Sequence, residues 1–438
     1  MKKVLIIAYD FPPYVSVGGL RPYSWYKYFH EFGLYPVVVT RQWDNKYGNH
    51  LDYIAPGESN ETIVEESETG TIIRTPYKPN LSNRLLLKYG EKRFRLLRKA
   101  ITAYYEFMQF LFFVGPKAGL YRGAKRYLKQ HKVDAIIATG EPFILFKYAA
   151  KLNKKYNIPW VADYRDPWTQ NSSRSTNLLL KMWNGYFEKR YLSEVKHITT
   201  VSDFFKNQIR SIVKGKPFSI IYNGYNLPTA FKEKAFTPKS DKLRIAFAGS
   251  IYPWHPWKSV LQCLAELDER NSNDFELTFY GINQTAEIKQ YLEKYLPDLK
   301  KSIKFYPKLD NQNLLFELSK HHGLLLFNDY SIAGTKIYDY LAVKRRILLC
   351  YTNDSKANKL KEAHFPLPEG TSFNQNLQQE IIAYTESGYA IQNSEELHAV
   401  LLSLHQELQE NRMLPCHSVH IEDFSRKKQT ERLAALIS

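Results

Sequence analysis

Short apolar runs that alternate with longer helical patterns restrict the possible folds of this sequence more than any other feature. The runs VLIIA (Val4–Ala8) and AIIAT (Ala135–Thr139) are apolar at nearly every position. A strand with two apolar faces has to be covered on both of them, as happens when helices pack on both sides of a parallel sheet. Because helical segments lie between such runs, the sequence predicts an α/β protein with doubly wound sheets.

The pattern occurs once in each half of the chain. In the first half the predicted strands are Val4–Ala8, Val37–Thr40, Ile72–Arg74, Ala135–Thr139, Trp160–Asp163, Ile198–Val201 and Ile220–Tyr222, and the predicted helices are Arg21–Phe32, Leu86–Phe113, Tyr121–His131, Ile144–Tyr156 and Leu178–Ser193. In the second half the predicted strands are Arg244–Ala248, Glu276–Tyr280, Ile303–Phe305, Gly323–Phe327 and Arg346–Tyr351, and the predicted helices are Lys258–Asn271, Thr285–Tyr295, Asn311–Lys320, Lys336–Ala342 and Ser425–Leu436. The repetition predicts two Rossmann-like domains whose strand C-termini line a shared cleft.

A polar segment separates the two halves. Residues 227–242 contain two prolines and no strong periodicity, which is typical of an interdomain linker. The predicted division of the chain is an N-terminal domain at 1–232, a linker at 233–242, a C-terminal domain at 243–415 and a C-terminal helix at 416–438. That helix can cross back to the N-terminal domain.

Charge and cysteine content limit the partners and the compartment. The chain has 61 Lys and Arg against 44 Asp and Glu, a net charge of +17 that attracts polyanions without choosing among nucleic acid, anionic lipid and phosphorylated substrates. No nucleic-acid-binding module is recognisable and the basic residues are spread, so we expect no nucleic-acid partner. Cys263, Cys350 and Cys416 are too few and too far apart for a disulfide framework, which indicates a reducing compartment. Cys416 and His420 lack a second ligand pair, so no metal site is predicted.

The apolar segments are too short to serve as a secretory signal or as a membrane-spanning helix. The run at Val4–Ala8 is shorter than a secretory signal and ends in Tyr-Asp-Phe-Pro-Pro, so we interpret it as a buried first strand. The longest apolar run elsewhere, Phe107–Val114, is far below the roughly 20 residues that span a bilayer. We therefore expect a cytoplasmic protein.

Two loops that follow predicted strands carry candidate site residues. After the first strand, Gly18 and Gly19 would let backbone N–H groups approach a phosphate at the start of a helix, although a tight turn between strand and helix is the simpler explanation of the pair. After the strand that begins at Trp160, the sequence Asp163-Tyr164-Arg165-Asp166-Pro167-Trp168 places two carboxylates and a guanidinium at a strand end. The second cluster predicts a charged surface that faces the cleft, with a salt-bridged loop as the alternative.

A helix start in the second half has the composition needed to hold a diphosphate. Gly334, Thr335 and Lys336 bring backbone N–H groups, a hydroxyl and an ammonium together, and Asp339 follows on roughly the same helix face. Transfer of a sugar from a nucleotide diphosphate requires stabilisation of charge on the leaving phosphates, which such a helix start provides without a divalent cation. The sequence thus contains a candidate donor site.

Taken in chain order, these motifs resemble those of the family-four group of retaining glycosyltransferases, which have the GT-B fold. A subgroup of that family carries FPP…GG…R near the start, a strand that ends in GPP, and ADFRDPW. The segments of this chain that correspond to these three motifs are Phe11–Arg21, Gly140–Pro142 and Ala162–Trp168. The family's further motifs are TVS, I-x-N-G-[YF], F-x-G and G-[TS]-K-[IL]-[FY]-E-Y-L-A. Their matches here are, in the same order, Thr200–Ser202, Ile221–Tyr225, Phe247–Ser250 and Gly334–Ala342.

The resemblance implies a bacterial, metal-independent glycosyltransferase whose N-terminal domain holds the acceptor and whose C-terminal domain holds the nucleotide sugar. It implies no cofactor and retention of the anomeric configuration. The residues implied in donor binding are Gly18, Gly19, Gly249, Ser250, Lys258, Gly334, Thr335, Lys336 and Asp339. Those implied in catalysis are Lys336, Asp163, Arg165 and Asp166, and those on the acceptor side are Arg21, Glu141, Tyr222 and Asn223.

Four positions depart from the family pattern. Asp339 replaces the usual glutamate that binds the donor ribose, and Ser331 replaces a glutamate that contacts the donor sugar. The segment Ile251–Trp254 stands where an arginine often follows the glycine turn, and the histidine often found after GPP falls near Phe146. The identity of the donor is therefore left open.

A basic and aromatic segment predicts contact with a membrane. Within Arg84–Lys129, apolar residues alternate at helical spacing with Lys and Arg, as in helices that lie in the headgroup region of anionic bilayers. The alternative is a core helix with a solvated basic face. We expect a peripheral protein on the inner face of the cytoplasmic membrane that extends a polyprenyl-linked glycan in surface polysaccharide or glycoprotein assembly. Two other classes remain open, a nucleotide-sugar epimerase on the same fold and a nucleic-acid-binding protein.

Overall fold

The computed structural model divides into two compact units. It describes residues 1–14, 16–43, 51–171, 177–226, 241–271, 274–329, 332–364 and 376–437. The first unit is Met1–Tyr222 together with Arg426–Ser438, and the second is Asn223–Ser425. The predicted linker at 233–242 lies outside the described residues except for its last two positions.

The first unit is built on an eight-stranded sheet in the order β3-β4-β2-β1-β5-β6-β7-β8. All neighbouring strands are parallel except the antiparallel pair β3 and β4. The strands are β1 Lys2–Ile7, β2 Leu34–Arg41, β3 Ile63–Ser67, β4 Gly70–Thr75, β5 Ala135–Thr139, β6 Trp160–Tyr164, β7 His197–Thr200 and β8 Phe218–Ile220. The helices before the second unit are α1 Val17–Tyr28, α2 Leu81–Tyr89, α3 Arg95–Met108, α4 Ala118–Gln130, α5 Ile144–Tyr156, α6 Leu178–Leu192 and α7 Asp203–Ile212.

The order of the strands places a candidate site in the first unit. Strand β1 is fully buried from Val4 to Ile7, as its apolar sequence predicted. Its neighbours are β2 on one side and β5 on the other, so the chain reverses its direction of winding at β1. Loops that leave the carboxyl ends of strands at such a switch point diverge and leave a crevice where ligands bind.

The second unit repeats this arrangement with six parallel strands in the order β11-β10-β9-β12-β13-β14. The strands are β9 Leu243–Ala248, β10 Phe275–Tyr280, β11 Ile303–Tyr306, β12 Gly323–Phe327, β13 Arg346–Cys350 and β14 Gly388–Ile391. The helices are α8 Trp257–Asn271, α9 Thr285–Tyr295, α10 Asn311–Ser319, α11 Lys336–Val343, α12 Ser355–His364, α13 Leu377–Thr385 and α14 Ser394–Asn411. The switch point of this sheet lies between β9 and β12.

The C-terminal helix α15, Arg426–Ala435, belongs to the first unit. Its Leu433 and Ala434 are buried in one core cluster with Val4, Ile6 and Phe29. The amide of Tyr222 donates a hydrogen bond to the Gln429 side chain at 2.8 Å. The end of the chain therefore closes the core of the unit in which the chain began.

One predicted helix is wrong. The segment Leu86–Phe113 is not a single helix, because α2 ends at Gly90 with φ of 76° and α3 starts after Phe94 with φ of 55°. Both values lie in the left-handed region, which stops an α-helix. Among the described residues, no helix is long and apolar enough to span a bilayer.

Candidate functional site

A buried ion pair joins the first helix of the first unit to its central strands. Arg21 on α1 donates to the carboxylate of Asp163 at the end of β6, with Nη2 2.7 Å from Oδ1 and Nε 3.0 Å from both oxygens. Thr199 on β7 donates to the same carboxylate at 2.8 Å. The exposed fractions of the Arg21 and Asp163 side chains are 4% and 0%. Both charges are therefore held in the interior rather than at a surface.

Arg21 also binds the chain segment that directly follows β8. Its Nη1 donates to the carbonyl oxygens of Ile221 and Tyr222 at 2.8 and 2.9 Å. These carbonyls follow β8, so one guanidinium connects α1, β6 and the last segment of the first unit before the chain enters the second. Tyr222 is the residue at which the chain leaves the first unit, and Asn223 is the first residue of the second unit.

A second arginine lies at the surface of the crevice. Nη2 of Arg165 is 3.1 Å from Oε2 of Glu141, and the two side chains are 18% and 36% exposed. A Cβ at Gly18 would overlap the Arg165 guanidinium, so a larger residue there would displace that side chain. Glu141 has φ of 62°, a strained conformation for a non-glycine residue that is concentrated at functional sites. The loops after β1, β5 and β6 therefore meet at Arg165.

Asp10 also lies in this crevice, although the sequence motifs did not single it out. The hydroxyl of Ser16 donates to its Oδ2 at 2.7 Å and also accepts from the amide of Gly19, which caps α1. The other oxygen, Oδ1, is buried and has no hydrogen-bond partner among the described residues. Burial raises the pKa of Asp10, although the Ser16 hydrogen bond and nearby Arg165 oppose the rise. An oxygen left in this state is available to a ligand hydroxyl.

A cavity of about 480 Å³ opens at this point. Two further buried atoms without a described hydrogen-bond partner, Nε of Arg165 and Oδ1 of Asn184, belong to residues of its wall. Trp168 in the wall stacks on Phe143 with ring centroids 5.2 Å apart. The lining residues include Asp10, Glu106, Phe110, Lys117, Glu141, Phe143, Arg165, Trp168, Lys181 and Asn184. Unsatisfied polar atoms around an aromatic wall suit a ligand with hydroxyl groups and an apolar face.

Charged groups in and beside the cavity have pKa values shifted toward their neutral forms. Burial lowers the pKa of Lys117, while Glu106 and Asp10 act in the opposite direction. Burial raises the pKa of Asp166, and Arg165 opposes that rise. Such shifts are concentrated at binding and catalytic sites, because charged side chains are partly removed from water there.

The loop that carries Trp168 is held in place by hydrogen bonds to a buried carboxylate on α6. The carboxylate of Glu188 on α6 is fully buried and accepts hydrogen bonds from Tyr164 at 2.9 Å, from Thr169, and from Gln170 at 3.2 Å. Burial raises the pKa of Glu188, and these hydrogen bonds lower it. The anchor fixes the segment in which Arg165 and Asp166 lie.

In the second unit, the switch point brings the loop after β9 next to the loop before α11. The ammonium of Lys336, the first residue of α11, donates to the carbonyl of Ser250 at 2.6 Å and lies 4.6 Å from the ring centroid of Phe247. A Cβ at Gly249, where φ is 87°, would be 2.9 Å from Cε of Lys336. Burial lowers the pKa of Lys336 to about 8, and Asp329 opposes the shift. The ammonium is thus packed tightly at a helix start.

A histidine and an aspartate hold the two loops together. Nε2 of His255 is 2.9 Å from Oδ1 of Asp329, and the same oxygen accepts from the indole N–H of Trp254 at 3.1 Å. The amide of Tyr252 donates to Nδ1 of His255 at 3.1 Å, which assigns the proton of the neutral ring to Nε2. Burial lowers the pKa of His255, and the nearby charge of Lys336 lowers it further. The ring is therefore kept neutral.

Gln378 on α13 fixes the loop before α11. Its Oε1 accepts from the amide of Asp329 at 2.7 Å, and its Nε2 donates to the carbonyl of Ala333 at 3.1 Å. Gln378 is 1% exposed. The backbone that leads to Gly334 and Thr335 is therefore positioned by a buried amide that no motif pointed to.

The remaining predicted donor residues are placed differently. Asp339 is partly buried and its Oδ1 is 3.4 Å from the side-chain nitrogen of Asn311. Lys258 is exposed, with its ammonium 5.2 Å from the Trp257 ring and 5.6 Å from the Tyr291 ring. Ser331 lies outside the described residues. The phosphate-binding role of Lys258 and the ribose-binding role of Asp339 stay predictions.

The fold and the sequence can be compared with known proteins. Residues 101–228, less than a third of the chain, match the model of Glycosyltransferase Family 4. No curated protein sequence matches significantly. Sucrose-phosphate synthase from Thermosynechococcus elongatus has a TM-score of 0.54 at 14% identity, covering 99% of this chain and 94% of that one. HepE from Anabaena in complex with UDP has a TM-score of 0.53 at 11% identity, covering 99% of both chains.

The fold is GT-B. WaaG, a glycosyltransferase involved in lipopolysaccharide biosynthesis, is a third similar structure, with a TM-score of 0.50 at 14% identity and coverage of 99% of both chains. The predicted fold class, two Rossmann-like domains of the GT-B type, is thereby confirmed. The matched family and the fold together support a glycosyltransferase with the GT-B fold.

The structure brings the predicted residues into two groups and adds others. Gly18, Glu141, Arg165 and Asp166 lie at the first crevice, and Gly249, Ser250, Gly334, Thr335 and Lys336 lie at the second. The residues that sequence reasoning missed are Asp10, Lys117, Asn184, His255, Asp329 and Gln378. Asp10 was visible beside the Phe11-Pro12-Pro13 motif, whereas the others have no local sequence signal.

Proposed function

We propose that this protein transfers a sugar from a nucleotide-sugar donor to a glycan acceptor, with retention of the anomeric configuration and without a metal ion. The observation that supports the proposal most strongly is the start of α11, where Lys336 is packed against Gly249 and Ser250. A fixed ammonium beside the free N–H groups of a helix start stabilises the charge that develops on a leaving diphosphate.

In the proposed reaction an acceptor hydroxyl oxygen forms a bond to the anomeric carbon of the donor sugar. The bond from that carbon to the diphosphate oxygen breaks, and its electron pair stays with the diphosphate. The proton of the hydroxyl passes to the leaving phosphate, so no side chain has to act as the base. Lys336 stabilises the departing group, and His255, Asp329 and Gln378 keep the two loops around it in place.

For the acceptor we propose the cavity of the first unit. Asp10, Arg165 and Asn184 offer buried polar atoms to sugar hydroxyls, and Trp168 offers an aromatic face. Arg21 and Asp163 are assigned a positioning role, because their charges are already paired in the interior. The acceptor we propose is a glycan on a polyprenyl carrier in bacterial surface polysaccharide or glycoprotein assembly at the cytoplasmic membrane.

A nucleotide panel tests the donor half of the proposal. Thermal unfolding is measured with UDP, GDP, CMP, ADP and dTDP, since a nucleotide at about 100 times its Kd adds roughly 2.7 kcal/mol to stability. Incubation with the matching nucleotide sugars and an acceptor extract then releases free nucleotide if the protein is a transferase. An isomerised donor without released nucleotide identifies an epimerase instead, and no stabilisation by any nucleotide contradicts the proposal.

Chelation should leave activity unchanged. The described residues of the donor crevice offer a lysine and a helix start for the diphosphate, which carry out the electrostatic role that a cation has in other enzymes. Transfer rates measured in excess EDTA and in Mg²⁺ are expected to agree within error. A rate that collapses in EDTA and recovers with Mg²⁺ or Mn²⁺ contradicts the metal-independent mechanism.

Asp10→Asn should weaken acceptor binding selectively. A hydrogen bond from an acceptor hydroxyl to a carboxylate contributes about 1.5–3 kcal/mol, so the acceptor KM is expected to rise by tenfold or more. The donor KM and nucleotide-induced stabilisation are expected to stay as in the wild type. Glu65→Gln, at an exposed position of the same unit, is the matched control. An unchanged acceptor KM in the Asp10 variant excludes the cavity as the acceptor site.

A further inference from the structure

Helix α3 has several apolar side chains that the described part of the chain leaves largely exposed. None of its residues is buried, although it is fourteen residues long. Leu96, Leu97 and Tyr104 are 82%, 49% and 55% exposed, and just beyond the helix Leu111 and Phe112 are 46% and 58% exposed. A helix packed into a core buries its apolar side, so α3 is not the core helix that the basic segment could have been.

Helix α6 presents an apolar stripe, which the sequence motifs did not reveal. Leu178, Leu179, Met182 and Tyr186 are 70%, 68%, 66% and 57% exposed. Their spacing places them on one side of the helix, while Phe187, Tyr191 and Leu192 on the other side are buried in the core. Exposed apolar residues in a continuous stripe, unlike scattered ones, indicate an interaction surface.

The two helices that carry these exposed residues are in contact with each other, and both line the cavity of the first unit. The indole of Trp183 on α6 donates to the carbonyl of Phe107 on α3 at 3.2 Å, and the two rings are 5.8 Å apart. The same helices supply cavity walls, with Glu106 from α3 and Asn184 from α6. We call the exposed apolar residues of α3, of the segment Leu111–Phe112 and of α6 the collar. They lie on, or directly after, the helices that line this cavity.

The charges around the collar identify what it contacts. Between Arg84 and Lys99 the chain has seven cations and one carboxylate, Glu91. Lys92, Arg95 and Lys99 are exposed and form no ion pair with a residue that the structure describes. On α6, Lys189 and Arg190 follow the apolar stripe and are exposed. An apolar surface flanked by unpaired cations is complementary to an anionic bilayer, where side chains enter the acyl boundary and cations reach the headgroups.

We infer that the collar docks on an anionic membrane surface and that α6 is as much a part of this surface as α3. The inference rests on the proposed function, because it makes the cavity the place where a lipid-linked acceptor is received. In this arrangement the carrier lipid stays in the bilayer at the collar, and the sugar attached to it enters the cavity directly behind. Docking therefore selects acceptors that are presented at a membrane rather than free in solution.

Vesicle flotation with the full chain tests the inference. The probes are phosphatidylcholine vesicles with and without phosphatidylglycerol, at low and high salt. We expect flotation with the anionic vesicles that decreases with salt. In Leu178→Ser/Leu179→Ser/Met182→Ser, partition should fall by about tenfold or more, and in Lys92→Glu/Arg95→Glu/Lys99→Glu by about a hundredfold. Arg98 is left unchanged, because its guanidinium donates to the carbonyls of Glu91 and Arg93.

Matched variants of the second unit are the controls. Tyr295→Ser removes a ring that is 56% exposed, and Lys294→Glu/Lys301→Glu reverses two exposed charges; both should float like the wild type. Failure to float, or flotation that ignores lipid charge or survives the α6 changes, overturns the inference. So does a dimer in sedimentation that the α6 changes disrupt without any vesicle binding. Nucleotide-induced stabilisation, measured on the same variants, reports separately on the proposed function.

Discussion

Replacement of Lys336 by methionine is expected to remove nearly all sugar transfer and to leave the protein at least as stable as the wild type. The lost ammonium is the charge that the structure packs at the start of α11, 2.6 Å from the carbonyl of Ser250. Removal of one preorganised charge-stabilising group typically reduces kcat by about 10² to 10³. Stability should not fall, because burial lowers the pKa of Lys336 to about 8 and the folded protein therefore disfavours the charged form.

The pH dependence of nucleotide binding gives a second measurement on Lys336. The pKa of about 8 lies below the ordinary lysine value, so the free protein keeps the ammonium charged below pH 8 and loses it as the pH rises above 8. Nucleotide affinity is expected to be constant between about pH 7 and pH 8, where the terminal phosphate is already ionised, and to fall by up to tenfold per pH unit above pH 8. His255 and Asp329 lie nearby, but the pKa of the histidine is lowered, which keeps it neutral throughout this range.

Calorimetric titration with the nucleotide found in the panel measures both effects. In Lys336→Met the decline in affinity above pH 8 should disappear, because the titrating group is absent. Lys294→Met is the matched comparison, since Lys294 is an exposed lysine of α9 that also lies against an aromatic ring, 5.0 Å from Tyr295, and is no candidate donor residue. If Lys336→Met retains near-normal turnover, or keeps the same pH profile, Lys336 does not bind the diphosphate.

Asp163→Ala is expected to destabilise the first unit by about 3–5 kcal/mol. The change removes the partner of Arg21 and leaves a guanidinium that is 4% exposed without its carboxylate. Breaking a buried pair on one side is strongly destabilising, because the remaining charge has been taken out of water. Urea denaturation, followed by a signal of the first unit, measures the loss.

Two comparisons identify the cause of that loss. Glu65→Ala breaks the pair with Arg74 on strands β3 and β4, where Glu65 is 49% exposed, and such surface pairs contribute about 1 kcal/mol or less. The double variant Arg21→Met/Asp163→Ala should lose less than the sum of the two single changes, because no unpaired charge remains. Additive losses, or a cost in Asp163→Ala as small as that in Glu65→Ala, show that the pair is not a positioning element.

The departures from the family pattern acquire a physical meaning in the second unit. Where an arginine often follows the glycine turn, the chain has Tyr252 and Trp254, whose rings stack 4.7 Å apart. Trp254 is tied to Asp329, and Lys336 lies 5.8 Å from the Tyr252 ring. Aromatic rings thus lie near Lys336 at the position where the family often has an arginine, so we expect the loss of this lysine to have a large effect.

Much of the architecture could be predicted from local sequence patterns. The bounds of β5, β12, α5 and α9 agree with the predictions residue for residue, because each is a strongly periodic or continuously apolar segment. The single helix at Leu86–Phe113 was wrong because the periodic pattern continues across Gly90, and the left-handed residue that ends α2 leaves only a lone glycine as a signal. Strands β3 and β14 and helices α7, α12, α13 and α14 were not predicted. The two strands are short, whereas α14 has a clear signal, because its buried residues Leu397, Leu401, Leu404 and Leu408 recur at helical spacing.

The sequence by itself determined the two α/β units, the loops that carry the polar groups and the presence of a lysine at a helix start. These properties follow from periodicity and from residue types at adjacent positions, which are local. Only the tertiary structure decided that Asp163 is buried and paired, that Asp10 keeps a free oxygen and that His255 binds Asp329. It also decided that α3 and α6 leave apolar side chains exposed and line one cavity. Burial, pairing and exposure depend on residues far apart in the chain, so no local pattern specifies them.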